Sequence, residues 1–474
     1  MTRCTMKKDK TILMILDGLD YSYIVQNINK FTLFKQWFDE KRLHALNSVV
    51  PADSVPSWIT IYTGLNPAEH GILLTIDYLN EKQKVPGQAA VIKGKSFWDK
   101  IGDRGKRVFV FNPFIASPAW DVNGLMVCRS SLEEKNEITT NRPDLVDAKT
   151  LDLGGNLRNN PTMKELPHFL EETWKMTDSQ FDNFHKYFGV EKFDLGFLGV
   201  TTPDRLQHIT WKYTDPEDRC FPKNNPFQNV ILEGYQYFEK QIQKMVDLYG
   251  EEYNIIVISD HGHGRRCQKV FYINQWLISN GFISDKSKKK RAIEFAKNFT
   301  LSFLARIHRV QVGSNFFKKF KFAHKVKNAD LVFKSKGAIY APNFDGVNPF
   351  GGIAVKREAF SSDEAYEAKR QEIIDKLLKV NDHGKNIMMW VKRREEIYTG
   401  KDIKNYPEIV YRMDNDYGVD RGLFGKKLFG ISPFHEIISG GHRFEGVIMS
   451  TDAEIIENVE SVEQMHETMC GLFI

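Results

Sequence analysis

Residues 11–20 read TILMILDGLD, a short apolar run that stops abruptly at a carboxylate and a glycine. A run of this length with no alternating polar positions reads as a strand covered on both faces, as in a parallel sheet. Similar runs recur at RVFVF (107–111), DLGFLGV (194–200) and NIIVIS (254–259). Ahead of the last of these, NVILEGYQYFEKQIQKMVDLYG (229–250) spaces its apolar residues by three and four and closes on glycine, which predicts a helix. Strands alternating with helices predict an α/β protein: a mainly parallel central sheet with helices on both sides.

The chain is long enough for one large α/β unit carrying insertions, with 474 residues, 42% of them hydrophobic. No apolar run approaches the length of a membrane span, so no transmembrane segment is expected. About six apolar residues precede Asp17, too few for the core of a signal peptide. Cys4, Cys128, Cys220, Cys267 and Cys470 are scattered without a CxxC pair. That spacing argues against a disulfide framework and a cysteine zinc knuckle, and the expected setting is reducing and cytoplasmic.

Two stretches break the rhythm. Residues 129–190 are polar and rich in turn signals (NRPD, GGN, NNP), and 282–400 hold a basic block followed by GGIAVKREAF. Both read as insertions over the top of the sheet, the second a basic cap. Residues 8–128, 191–281 and 401–474 are then a discontinuous catalytic core. Charge follows the same division. Residues 286–336 carry fifteen Lys and Arg against Glu294 and Asp330, a local +13, which leaves the rest of the chain at −8 of its net +5.

Ligands of open α/β sheets bind beyond the carboxyl ends of the strands. Asp17 follows the first predicted strand. TTPDRLQH, with Asp204 and His208, follows DLGFLGV, and Asp260 and His261 follow NIIVIS. Near the C-terminus, SGGHRFEGVIMS sets His442 in a glycine-rich turn before a final strand. Each has a plain alternative. Asp17-Gly18 suits a turn, Asp204 suits the acidic first turn of a helix capped by Thr202, and His442 suits a loop. Together they are three carboxylates and three imidazoles at one sheet edge, with Asp204 and His208 four apart on one helix face. Oxygen and nitrogen ligands without thiolate suit two divalent ions, zinc or else manganese, three protein ligands to each. Such a pair clamps an in-line displacement at phosphorus.

A nucleophile is then available in ADSVPSWITIYTGLNPAEHGI (52–72). Ser54 stands at the start of a predicted helix, where it reads either as a cap or as a hydroxyl activated by a cation. The helix start adds amide donors and a positive dipole end for a phosphate.

Taken in order, LDGLD, DSVPSWITIYTGLNPAEHGI, PDRLQH, SDHG and SGGHRFEGVIM resemble the alkaline phosphatase superfamily, in particular its type I phosphodiesterase and nucleotide pyrophosphatase branch. Flanking text such as SFWDKIGDRGKRVFVFN, INQWLISNGFI and YPEIVYRMDNDYGV is similar to bacterial and archaeal members. The resemblance covers most of the chain outside the two insertions. It implies the alkaline-phosphatase-like α/β/α sandwich and hydrolysis of phosphodiester or pyrophosphate-type bonds through phospho-Ser54. It also implies one zinc on Asp204, His208 and His442, and another on Asp17, Asp260, His261 and the Ser54 oxygen. Nucleotide pyrophosphatases have an asparagine after HGI, where this chain has Thr75. Thr75, Arg205, His263 and Arg443 are candidates for the missing oxyanion donor, none of them assigned.

Rival readings come from the same superfamily. SVPSW approaches the sulfatase modification signal, but Trp58 replaces its arginine. The phosphoglycerate mutase context around the nucleophile is absent. A phosphomonoesterase or phosphonate hydrolase differs only in pocket walls, and a binding protein that lost its chemistry would not need the full ligand set. The block at 286–336 mixes aromatic and basic residues near helical spacing. It reads as a cap with a solvated basic face, or as a contact for a polyanion: an anionic membrane surface, nucleic acid or a nucleotide-bearing substrate. The expected substrate is a phosphorylated small molecule or nucleotide; the sequence leaves the oligomeric state open.

Overall fold

The computed structural model describes residues 8–73, 76–77, 82–83, 88–130, 137–154, 161–284, 295–296, 299–300, 302–306, 337–344, 348–422, 426–433 and 435–474. Its centre is an eight-stranded sheet. In chain order the strands are β1 (Lys10–Leu16), β2 (Leu43–Asn47), β3 (Val108–Phe111), β4 (Gly124–Arg129), β5 (Ile138–Thr140), β6 (Leu195–Val200), β7 (Tyr253–Ile258) and β8 (Glu445–Ser450). Across the sheet they run β2-β8-β7-β1-β6-β3-β4-β5. The five from β7 to β4 are mutually parallel, while β8 and β5 pair antiparallel at the two sides. All four runs read as buried strands lie side by side here, with β4 completing the parallel set.

The strands are apolar throughout because both faces are covered. In β1, Ile12, Met14 and Leu16 pack into one core, and Leu13 and Ile15 into another. The period of two in a strand divides them. On the first side lie α3 (Leu166–Phe188) and α5 (Val230–Tyr249), with Phe181, Phe184, Tyr235 and Phe238 in contact with the sheet residues. On the other lie α1 (Ser54–Thr63), α2 (Phe97–Asp103) and α7 (Met465–Gly471), through Trp58, Trp98 and Met469. This is the expected α/β/α sandwich.

The α3 helix departs from the expectation for 129–190. It is no loop-rich insertion but a 23-residue helix whose aromatic residues share the sheet's own core. Its acidic and lysine residues face outward, while Thr173, Thr177 and Gln180 stand within the buried stripe, the two threonines each bonding a carbonyl one turn back.

A second, four-stranded antiparallel sheet joins Ile339–Tyr340, Phe350–Val355, Ile409–Met413 and Met388–Arg393. Helix α6 (Asp363–Leu377) packs on it through Ile373, Ile374 and Leu377. Ile409–Met413 belongs to the stretch read as core, 401–474, yet it pairs inside this second sheet. The second sheet abuts the segment leading into α1. Tyr398 Oη donates to Val50 O at 2.7 Å and Tyr406 Oη to Pro67 O at 2.7 Å, over a shared apolar cluster with Ala52 and Phe350.

The Phe109 ring lies 5.3–5.9 Å, centroid to centroid, from those of Phe111, Phe184, Phe188 and Phe193. Phe109→Ala leaves a cavity there and is expected to destabilise the fold by about 3–5 kcal/mol. Urea unfolding followed by far-UV circular dichroism measures this, with metal content unchanged.

Candidate active site

Register brings the ends of three neighbouring strands together. Leu16 of β1 stands opposite Val200 of β6, and Ile15 opposite Ile258 of β7, so the segments that follow emerge side by side. Asp17 ends β1. Gly18 after it takes φ +75°, a conformation that suits glycine. A Cβ at Gly18 would meet the Asp204 Cβ at 2.9 Å, so the missing side chain also admits Asp204. Asp204 lies in the first turn of α4 (Thr202–Thr214), with His208 one turn on. The cap position belongs to Thr201 rather than Thr202, whose hydroxyl pairs with Thr177 at 2.8 Å. Asp260 and His261 follow β7, and the Asp260 carbonyl is pinned by the Ser48 and Ser57 hydroxyls at 2.7 Å each. His442 arrives on a short strand, Gly440–Arg443, paired antiparallel with Gly262–Arg265.

Ser54 is the first residue of α1, not its cap. Asp53 caps the helix by accepting from Val55 N at 3.0 Å. That bond occupies one expected amide donor, and Pro56 has none to offer. The Ser54 hydroxyl is left to face inward, 3.3 Å from Asp17 Oδ1 and 3.0 Å from His261 Nε2.

All seven residues singled out in the sequence meet in this one cluster. Asp204, His208 and His442 offer ligand atoms within 4.8 Å of one another, and so do Asp17, Asp204 and His261. Asp260 Oδ2 lies 3.4 Å from His261 Nε2. The imidazoles share one arrangement. Nδ1 of His208 donates to Gly440 O at 2.9 Å, Nδ1 of His261 to Gly262 O at 2.9 Å, and Nδ1 of His442 to Ala52 O at 2.8 Å. A carbonyl only accepts, so Nδ1 of each ring carries a proton and Nε2 is the atom each ring turns into the cluster. His208 Nε2 and His442 Nε2 face each other at 3.0 Å.

Electrostatics is equally one-sided. Burial, then the charges of Asp260 and Asp204, push the Asp17 carboxyl well above its usual range. Burial and the Asp204 charge raise Asp260 to about 7. Asp204 is held well below the usual range, because contacts with His208, His263 and His442 outweigh its burial. Buried carboxylates and converging ring nitrogens need a cation to balance them. The donor set, oxygen and imidazole nitrogen, fits a divalent metal.

His263 is the residue whose part the sequence did not disclose. It is buried, its Nε2 lies 3.4 Å from Asp204 Oδ1, and its ring stacks on Trp211. It joins His208 and His442 around the same Asp204 oxygen, its ring centroid 4.6 Å from that of His208; its only sequence signal was the HGHG pattern. Arg443 turns away too, donating to His442 O at 3.1 Å and to Arg265 O. Arg205 is half-buried in the first helical turn beside Asp204, and its charge acts on Asp17. Thr75 lies outside the described residues.

The three-layer α/β/α fold thus carries one cluster of potential metal ligands at the ends of its parallel strands. The chain belongs to the type I phosphodiesterase / nucleotide pyrophosphatase family, whose sequence pattern it matches over residues 11–423. The family is metal-dependent and enzymatic, in line with the donor set. Among curated proteins no relative matches the sequence. Among solved structures, phosphonoacetate hydrolase from Sinorhizobium meliloti 1021 with bound phosphonoformate is similar over 99% of this chain and 97% of its own, at 13% identity and TM-score 0.55. Its complex with phosphonoacetate gives 14% identity over the same shares and TM-score 0.54. Murine ectonucleotide pyrophosphatase / phosphodiesterase 5, an inactive form with AMP, covers 98% of this chain and 94% of its own at 14% identity and TM-score 0.48. At these identities the likeness to phosphonoacetate hydrolase is one of fold.

Divalent metal at a hundredfold excess over its Kd is expected to stabilise the protein by about 3 kcal/mol, reversed by a chelator. Thermal unfolding with and without the chelator measures it. His263→Ala is expected to weaken metal affinity by about 10–100-fold, read by competition with a chromogenic chelator.

Proposed function

We propose that this protein hydrolyses phosphodiester or pyrophosphate-type bonds by two displacements at a two-metal centre, with Ser54 as the nucleophile. Asp204, His208 and His442 would hold one ion. Asp17, Asp260 and His261, with the Ser54 oxygen, would hold the other, zinc in preference to manganese. The observation that carries this reading is the set of three Nδ1-to-carbonyl bonds, which turn three Nε2 atoms toward three carboxylates beside one hydroxyl. Divalent ions there would supply the charge that favours the serine alkoxide and neutralises phosphoryl oxygens.

The chain's own residues do the rest. Asp53 caps α1 and so presents the Ser54 hydroxyl inward. In the first displacement Ser54 Oγ bonds to phosphorus as the bond to the leaving oxygen breaks. In the second, water attacks phospho-Ser54, the P–Oγ bond breaks and the serine is restored. Arg205, half-buried beside Asp204, would add positive charge for a phosphoryl oxygen. Phosphonates are the second substrate class, on the strength of the shared fold with phosphonoacetate hydrolase. None of the described helices is long and apolar enough to cross a membrane. A reducing, cytoplasmic setting goes with this reading on the cysteines.

Ser54→Ala is expected to lower turnover of bis-p-nitrophenyl phosphate by about three orders of magnitude or more, with metal content retained. Parallel assays with p-nitrophenyl phosphate, p-nitrophenyl sulfate and phosphonoacetate rank the substrate classes. A Ser54→Ala protein at the wild-type rate overturns covalent catalysis, and no turnover of any of the four after zinc or manganese loading overturns the enzyme reading.

A further inference from the structure

The basic block at 286–336, with the polyanion contact expected of it, lies mostly outside the described residues. A second group of metal-ligating side chains does not. Asp218, Cys220 and His435 offer ligand atoms within 4.8 Å of one another, and none of the three belongs to the Ser54 cluster. Asp218 and Cys220 stand in the turn after α4, where Cys220 N donates to Asp218 Oδ1 at 2.8 Å. His435 comes from the segment ahead of Gly440–Arg443, the strand that carries His442.

Two of the three are deeply buried, Asp218 at 4% exposure and His435 at none. Nε2 of His435 lies 2.7 Å from Asp218 Oδ2, but its Nδ1 is buried without a hydrogen bond. The protein by itself therefore leaves this imidazole half satisfied, which is uncommon and costly. Burial, with Arg219 and Arg266 nearby, keeps the ring below its usual range in spite of Asp218, so it is neutral and has one nitrogen lone pair to give.

The same trio could be read as a thiol–imidazole–carboxylate nucleophile, and that reading fails on the thiol. Burial pushes Cys220 up to about 11, which leaves almost no thiolate at neutral pH. A bound cation reverses this, because coordination removes the thiol proton. One carboxylate and one thiolate then balance a divalent charge. The neighbouring cations are already engaged, Lys212 Nζ on Glu436 O and Arg219 Nη2 on Ser432 O, at 2.5 Å each. One sulfur, one nitrogen and one oxygen donor, with water in the fourth position, suit zinc over magnesium or calcium, which take oxygen. Donors on a tetrahedral zinc stand about 3.3–3.6 Å apart, so the three atoms need to close by no more than about 1.5 Å.

We propose that Asp218, Cys220 and His435 form a zinc site that clips the turn after α4 to the segment ahead of the His442 strand. Asp204 and His208 lie toward the other end of α4. The clip thus joins the two elements that bring three residues of the Ser54 cluster together. It takes no part in the reaction assigned to Ser54 and does not depend on it.

The test uses the full-length protein, stripped of metal by a chelator and titrated with cobalt(II). Thiolate bound to cobalt absorbs intensely in the near ultraviolet, a band that the Ser54 cluster, with oxygen and nitrogen donors only, does not produce. The band is expected in wild type and in Ser54→Ala, and added zinc should abolish it by displacing cobalt. It is expected to be lost in Cys220→Ser and in His435→Ala, each binding one ion fewer per chain while its circular dichroism matches wild type. In the wild type, zinc should also slow alkylation of Cys220 by iodoacetamide at least about tenfold, read by peptide mass spectrometry. A wild type without the band overturns the proposal, as does a band that survives either substitution. Alkylation of Cys220 at one rate with and without zinc overturns it as well.

Discussion

Two buried carboxylates, those of Asp17 and Asp260, lie against a third, partly exposed one on Asp204, and the rest of the site exists to hold them there. Like charges at such spacing repel, and burial removes the water that would screen them. Nothing local to any of the three could impose this. It follows from β7, β1 and β6 running parallel in register, so that Asp17 and Asp260 leave adjacent strand ends and α4 begins beside them. The sheet spends packing energy from two apolar cores on a cluster that would otherwise separate. A metal-binding enzyme needs that trade, because a site relaxed without its ion has no preorganised charge for a phosphoryl group.

Around the carboxylates, the imidazoles are oriented by backbone rather than by side chains. Carbonyls of Gly440, Gly262 and Ala52 each take one Nδ1–H, and so decide which nitrogen faces inward. The Ala52 carbonyl lies two residues before Ser54 and receives its bond from His442. The segment leading to Ser54 and the strand carrying His442 are therefore tied directly together. The stretch between two strands of the second sheet holds both sides of α1 from outside, Tyr398 on Val50 before it and Tyr406 on Pro67 after it. Beneath the ligands lies a further layer. Gln207 bonds the Gly18 carbonyl at 2.7 Å and receives the Tyr235 hydroxyl, which in turn accepts from Asp20 N. Loop geometry at the strand ends is thus anchored by residues far from the chemistry.

Much of this was readable in the one-dimensional chain. A strand buried on both faces leaves an unbroken apolar run, so TILMIL, RVFVF, DLGFLGV and NIIVIS announced the parallel sheet. A polar residue just past such a run has to be at a strand end, so Asp17, Asp204, Asp260 and His261 could be named. Less visible was α3, whose buried stripe passes through Thr173, Thr177 and Gln180. Their polarity hides the helical period: Thr173 and Thr177 each bond a carbonyl one turn back, and the Gln180 amide reaches the distant Leu153 carbonyl. The strand GLMVCR (124–129) was also passed over, although every residue in it is buried.

What the sequence determined by itself was the inventory: which strands are interior, which side chains stand at their ends, and where positive charge collects. Those are properties of residue type and period, which local order preserves. Tertiary structure decided the rest. It gave the cap of α1 to Asp53 and turned Ser54 inward, set His263 against Asp204, tied Arg443 to carbonyls and paired Ile409–Met413 with Phe350–Val355. Each of these depends on a partner distant along the chain or on one of two neighbouring hydroxyl and carboxyl groups winning a hydrogen bond. Such choices are settled by three-dimensional geometry, and a list of residue types does not contain it.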